Sequence, residues 1–158
     1  MTFSKPSALL SSPIQSVSGT VSNLQNGLLE YDHSSIYYQR FYISSFHLGD
    51  QAIEAKFSSP MKIGHGDSVT VSGYQKNTAF QVLAYRNQTQ DVTGAENWVM
   101  LALGALFFLA LAIGLLNSEL VSEGALIPKL FLSGFVLVAI YMAYRALLIR
   151  EAIGLLQP

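Results

Sequence analysis

The hydrophobic pattern changes character once along the chain. Residues 1–13 (MTFSKPSALLSSP) are rich in Ser and Pro, hold no period, and predict a flexible arm. From Ile14 the period becomes two: Val17, Gly19 and Val21 alternate with Ser16, Ser18 and Thr20. This predicts a half-buried strand, with the glycine marking a bend or a close backbone approach. Asn26-Gly27 predicts a tight turn before Leu28 to Tyr31. Residues 36–44 (IYYQRFYIS) predict a strand with Tyr37, Phe41 and Ile43 on one face and Tyr38, Arg40 and Tyr42 on the other.

Gly49-Asp50 is another turn, after which Ile53, Ala55 and Phe57 alternate with Glu54 and Lys56. The stretch 58–66 (SSPMKIGHG) is too short and too broken by Pro and Gly for a long helix. Gly66-Asp67 leads into alternating Val69 and Val71, and Lys76-Asn77 connects to a last strand with Phe80, Val82 and Ala84 on one face. The expectation is an all-β small barrel of five to six strands over residues 14–90, joined to the C-terminal third of the chain by a linker at 91–97.

Beyond that point the alternation disappears. Residues 98–116 (WVMLALGALFFLALAIGLL) carry no charge and no polar stripe, and their length matches the roughly 20 residues needed to cross a hydrocarbon core. A second apolar run at 126–148 completes a pair of transmembrane helices forming a hairpin, if Arg145 extends its guanidinium to the headgroups. The connection at 117–129 is then a short translocated loop, and the tail 149–158 lies along the interface. Trp98, Tyr141, Tyr144, Arg145 and Arg150 are the expected membrane-interface residues. Ala102, Ala105, Ala110, Ala112 and Gly114 on the first span, with Gly134, Ala139 and Ala143 on the second, are candidates for close helix packing.

Composition sharpens this division. The 158 residues are 51% hydrophobic and only 12% charged, with a mean hydropathy of +0.36. That is too apolar for a disordered chain and too poor in charge for an ordinary soluble domain. The absence of Cys excludes disulfides, thiolate metal sites and cysteine nucleophiles. Arg86, Arg145 and Arg150 flank the outer ends of the spans while the loop holds only Lys129, which places both termini in the cytoplasm of, on this reading, a bacterial inner membrane. The N-terminal residues lack a signal-peptide pattern, in keeping with that orientation. Asn87-Gln88-Thr89 fits a glycosylation sequon that would then never meet a lumen.

Three segments together resemble the OB-fold, a five-stranded Greek-key barrel: Val17-Ser18-Gly19-Thr20-Val21, then 66–73 (GDSVTVSG), then Phe80-Gln81-Val82-Leu83-Ala84. A membrane-attached barrel of this kind is similar in its parts list to NfeD-type proteins, although there the spans precede the barrel and here they come after it. OB barrels often bind single-stranded nucleic acid by stacking bases on aromatics above a positive groove. Residues 1–96 supply the aromatics, but Lys5, Arg40, Lys56, Lys62, Lys76 and Arg86 are outnumbered by Glu30, Asp32, Asp50, Glu54, Asp67, Asp91 and Glu96. That balance argues against phosphate binding.

For catalysis the inventory is thin. Asp32-His33 and His65-Gly66-Asp67 can be written as acid and base pairs, yet Asp and Gly are also the ordinary residues of turns. No zinc-ligand spacing, phosphate loop or nucleophile elbow occurs, so no enzyme, metal or cofactor is expected. The expected function is an integral membrane protein presenting a cytoplasmic OB-like barrel to a protein partner or to its own copies, with Tyr38, Arg40 and Tyr42 as candidate interaction face. A membrane-tethered nucleic-acid module is the alternative, and an immunity or stress protein acting through its hairpin is another.

Overall fold

In the computed structural model the alternating stretch becomes one long strand, β1 (Gln15–Asp32). Residues 13–32, 38–118 and 126–157 are described, without the side chains of 30–32, 38, 39 and 127. Most of the expected arm, Tyr37 and most of the expected loop lie outside the described residues. The first part of β1 pairs antiparallel with β4 (Ser68–Lys76), from Gln15 opposite Gly73 to Thr20 opposite Ser68. The last part pairs antiparallel with β2 (Tyr38–Leu48), from Gln25 opposite Ser45 to Asp32 opposite Tyr38.

Between these halves the register slips between Ser22 and Gln25, and Asn23 takes a φ of 52°. Asparagine tolerates that left-handed conformation, and a bulge of this kind bends a strand so that it can serve two neighbours. The tight turn expected at Asn26-Gly27 is therefore absent. Asn26 and Gly27 pair with Ser44 and Ile43, and Asn26 Oδ1 accepts a hydrogen bond from Ser44 Oγ at 2.8 Å. A continuous ladder along β2 satisfies more backbone groups than a two-residue turn would, and it wins over the dipeptide's local preference.

The other turns fall where alternation breaks. Gly49, at φ 59°, links β2 to β3 (Gln51–Phe57), and Asn77, at φ 53°, links β4 to β5 (Ala79–Asn87). The segment between β3 and β4 forms no helix. β3 and β5 pair in parallel, from Ile53 opposite Phe80 to Ala55 opposite Val82. This closes the sheet as β1-β2-β3-β5-β4-β1, the OB-like five-stranded barrel that the pattern predicts. An additional strand, β6 (Val92–Ala95), pairs with β5 inside the stretch read as a linker. Asp91, at φ 52°, turns the chain back, and glycine at 94 leaves the space that the Tyr85 ring fills.

The barrel interior is built from Val21, Phe46, Leu48, Ile53, Ala55, Phe57, Val69, Val71, Phe80, Val82 and Tyr85. Each large side chain buried here contributes about 1.5–3 kcal/mol. Gly19 is a close approach, since a Cβ there would stand 3.2 Å from Leu48 Cβ. Gly73 is tighter. It occupies a bulge opposite Val82, where a Cβ would overlap the Gln81 carbonyl oxygen.

The C-terminal part is a helical hairpin of α1 (Trp98–Leu116) and α2 (Leu126–Gly154). Both helices are long and apolar enough to cross a membrane. Asn97 caps α1 by accepting from the Met100 N–H at 3.2 Å, and Asn117 Nδ2 donates to the Ile113 carbonyl at 2.9 Å. α2 begins where the second span was expected and continues past residue 148. From Glu151 onward the chain belongs with the barrel. The tail expected at a lipid interface instead has Ala152 fully buried, its carbonyl accepting from Ser72 Oγ at 2.7 Å.

Gly73→Ala should destabilise the full-length protein in detergent by about 1–3 kcal/mol, the usual cost of forcing atoms into a packed position. Gly27→Ala, whose added Cβ would meet nothing within 4 Å, should cost no stability. Chemical denaturation followed by circular dichroism of the barrel signal distinguishes the two.

Candidate functional site

Three local arrangements carry polar or exposed groups that the core does not explain. The first closes one end of the barrel. Asp67 follows the turn at Gly66 (φ 87°), and its Oδ2 accepts from Gly64 N–H, Asn87 Nδ2 and Gln90 Nε2, each at 2.7 Å. Asn87 is fully buried; it also donates to the Lys62 carbonyl at 3.0 Å and accepts from the Thr89 and Gln90 N–H groups. Thr89 Oγ1 in turn accepts from Ser68 N–H at 2.8 Å. The hydrogen bond from Asn87, then that from Gly64, hold the Asp67 carboxyl below the ordinary aspartate value of 3.8; partial burial opposes them and Gln90 assists.

This network is a clamp on structure. Three donors converge on Asp67 Oδ2, and His65 beside it is exposed. The sequon match at Asn87-Gln88-Thr89, expected to carry no glycan, has its asparagine enclosed. What the tripeptide encodes is an Asx-type turn. Asp32-His33 lies where side chains are not described. Among the described residues, no group of three or more His, Asp or Glu is placed to hold a metal ion.

The second arrangement is the far end of the β1–β2 pair. β3 joins β2 only from Tyr42 onward, so residues 28–32 and 38–41 form a two-stranded ribbon extending past the barrel wall. Leu28 and Leu29 are 47% and 39% exposed there, on opposite faces. The outer face expected for Tyr38, Arg40 and Tyr42 needs correction. Tyr42 shares the parity of buried Ser44, Phe46 and Leu48, stands opposite buried Phe57, and is half-buried itself. Arg40 is exposed because the ribbon has left the barrel by that point, and the Tyr38 side chain is not described. Phe41 lies on the outward parity, with Lys56 Nζ 4.2 Å from its ring centroid.

The third lies within the hairpin. Three contacts set an antiparallel register: Arg150 with Trp98 at 5.9 Å, Met142 beside Gly104, and Phe135 with Phe108 at 5.9 Å between ring centroids. Of the expected packing residues, Ala105, Ala112 and Ala139 are buried, and Ala102 and Gly134 are partly so. Ala110, Gly114 and Ala143 are exposed. Gly104 and the buried Ala146 were not among the candidates. The buried alanines recur at seven-residue spacing on each helix, the period of a left-handed pair, and that period is the missed signal.

Between the Trp98 end and the phenylalanines small side chains leave the surface of the pair hollow. The open groove there measures about 460 Å³ and is lined by Trp98, Ala102, Ala105, Ala139, Ala146 and Arg150 among others. Tyr141 is 62% exposed and follows the level of Gly104, roughly 9 Å along the axis from Trp98 at 1.5 Å per residue. Tyr141 and Trp98, both expected at an interface, therefore do not share a level along the hairpin.

Asp67→Asn should lower the melting temperature at neutral pH. A carboxyl whose folded pKa is depressed stabilises the fold above its unfolded value and loses that contribution as pH falls through the folded value. Melting curves of the two proteins should therefore converge below pH 3.8, and a gap unchanged at low pH would contradict the clamp. In the hairpin, a Gly104→Cys, Met142→Cys double variant should cross-link within one chain under mild oxidation. Ala110→Cys with Ala143→Cys should not. Compared with protein-family models, curated proteins and solved structures, the chain matches none.

Proposed function

We propose that this is a two-span membrane protein that holds an OB-fold barrel against the cytoplasmic face of a cell membrane as a protein-interaction or assembly module. The observation that carries this reading is the hydrogen bond from Ser72 Oγ to the Ala152 carbonyl. It ties the last turn of the second apolar helix to the barrel that precedes the first. A chain that leaves the barrel, crosses twice and returns to the barrel satisfies that bond, whereas a single crossing does not.

The hairpin's own surface supports the bilayer. Met100, Leu103, Leu106 and Phe107 on α1, and Leu130, Phe131, Leu137 and Ile140 on α2, are each more than half exposed. An apolar surface on this scale far exceeds what soluble proteins leave in contact with water. The small excess of Arg at the outer ends of the helices over the single Lys129 favours the cytoplasm for the barrel.

The interaction role rests on the ribbon. A two-stranded ribbon is marginal in water by itself, and one carrying Leu28 and Leu29 on opposite faces gains stability when a partner covers it. Arg40 in the same ribbon supplies a charge for specificity.

Alkaline carbonate should leave the protein in the membrane pellet, and detergent should release it. Chemical cross-linking in intact membranes should capture a defined complex or homo-oligomer. Leu28→Glu with Leu29→Glu should abolish that species while changing barrel stability by no more than about 0.5 kcal/mol, as for ordinary surface substitutions. A strictly monomeric, partner-free protein would remove the assembly role. An export-dependent reporter active at the C-terminus would reverse the orientation.

A further inference from the structure

The groove in the hairpin ends differently at its two extremities. At one end stand Trp98 and the Arg150 guanidinium, 5.9 Å from the indole centroid. At the other, Phe108 and Phe135 meet at 5.9 Å, flanked by Phe107 and Phe131 at 5.7 and 6.3 Å. Between them the wall is almost wholly carbon. Its room comes from alanines at positions where longer side chains would fill the space.

From Trp98 to Leu109, the lining residues of α1 span about 16 Å at 1.5 Å per residue, roughly half of a 30 Å hydrocarbon core. The groove is therefore as deep as one leaflet. That depth selects among occupants. A membrane-spanning helix from a second copy is about 30 Å long, roughly twice the depth of this groove. A single acyl chain needs one leaflet only.

The headgroup end selects further. Trp and Arg are residues of the membrane interface, and a guanidinium offers a phosphate diester two parallel N–H donors. A zwitterionic lipid presents the same phosphate beside its own ammonium, which offsets the attraction. We propose that the groove holds one acyl chain of an anionic phospholipid, with the lipid phosphate against Arg150. This rests on the membrane reading above.

Trp98 is the only tryptophan in the chain and lines the groove, so its fluorescence reports the occupant directly. The full-length protein is reconstituted in phosphatidylcholine vesicles containing a minor fraction of either brominated phosphatidylglycerol or brominated phosphatidylcholine. Brominated chains quench a neighbouring indole. Half-maximal quenching should need about fivefold less of the anionic lipid, the preference expected for one basic side chain at a membrane surface.

Arg150→Gln should bring the two lipids to the same midpoint. Ala105→Leu with Ala139→Leu should fill the groove and weaken quenching by both. Equal midpoints in the unaltered protein, or a preference that survives the filled groove, would overturn the proposal. So would shielding of Trp98 from both lipids that lifts when the protein is diluted in the bilayer, since that would place a second copy in the groove. Flotation of the same vesicles separates the two readings. Protein that floats without lipid preference loses only the lipid site, and protein that does not float loses both.

Discussion

An 18-residue strand that must supply hydrogen-bond partners to two different neighbours is the constraint on which the barrel depends. β1 cannot lie flat in one sheet, because β4 takes its beginning and β2 takes its end. The bulge at Asn23 resolves this by bending the strand, and closure through β3 and β5 follows from the curvature. Once closed, the barrel has few unpaired edges, and its interior can be filled by one modest set of aromatic and β-branched side chains. Gly19 and Gly73 mark the places where two backbones are drawn together by that curvature.

The hairpin solves a different problem with different means. Helices apolar on all sides receive no hydrophobic drive to associate in lipid, so contact depends on how closely their surfaces can fit. Gly104 lets Met142 approach, and the phenylalanines interlock near the midpoint. Where alanine replaces a larger residue without a facing knob, the same economy of side-chain volume leaves open space. Close packing and a groove thus arise from one composition.

How much of this was legible in the sequence depends on the range of each interaction. Alternation located the strands, and the turns at Gly49 and Gly66 were visible because the backbone there needs a positive φ that glycine supplies locally. Asn26-Gly27 misled because its conformation is decided by β2, a dozen or more residues away. β6 was hidden in a linker because its short sequence has no alternation strong enough to announce it, and its ladder is borrowed from β5. The apolar helices were plain from length and polarity, but the rotational phase of each depends on the other. Ala105 and Ala139 therefore emerged as buried and Ala110 and Ala143 did not. Tyr42 changed faces for a related reason: the strand's parity is set by the core at Phe46, which the aromatic run at its beginning does not reveal. Nothing local to Asn87 announces the clamp, because only the fold brings Asp67 to it.

The bond between Ser72 and Ala152 also bears on the order in which the molecule is made. Its partners lie 80 residues apart, so the donor is synthesised well before the acceptor. At roughly 5–20 residues per second, the hydroxyl waits on the order of 4–16 s after its own synthesis. During that interval the Ala84 carbonyl, 3.3 Å away, is the acceptor at hand within the barrel. All the strands of the barrel precede both apolar helices in the chain, so this contact is one that waits for them. Completion of this contact becomes a record that both apolar helices have been made.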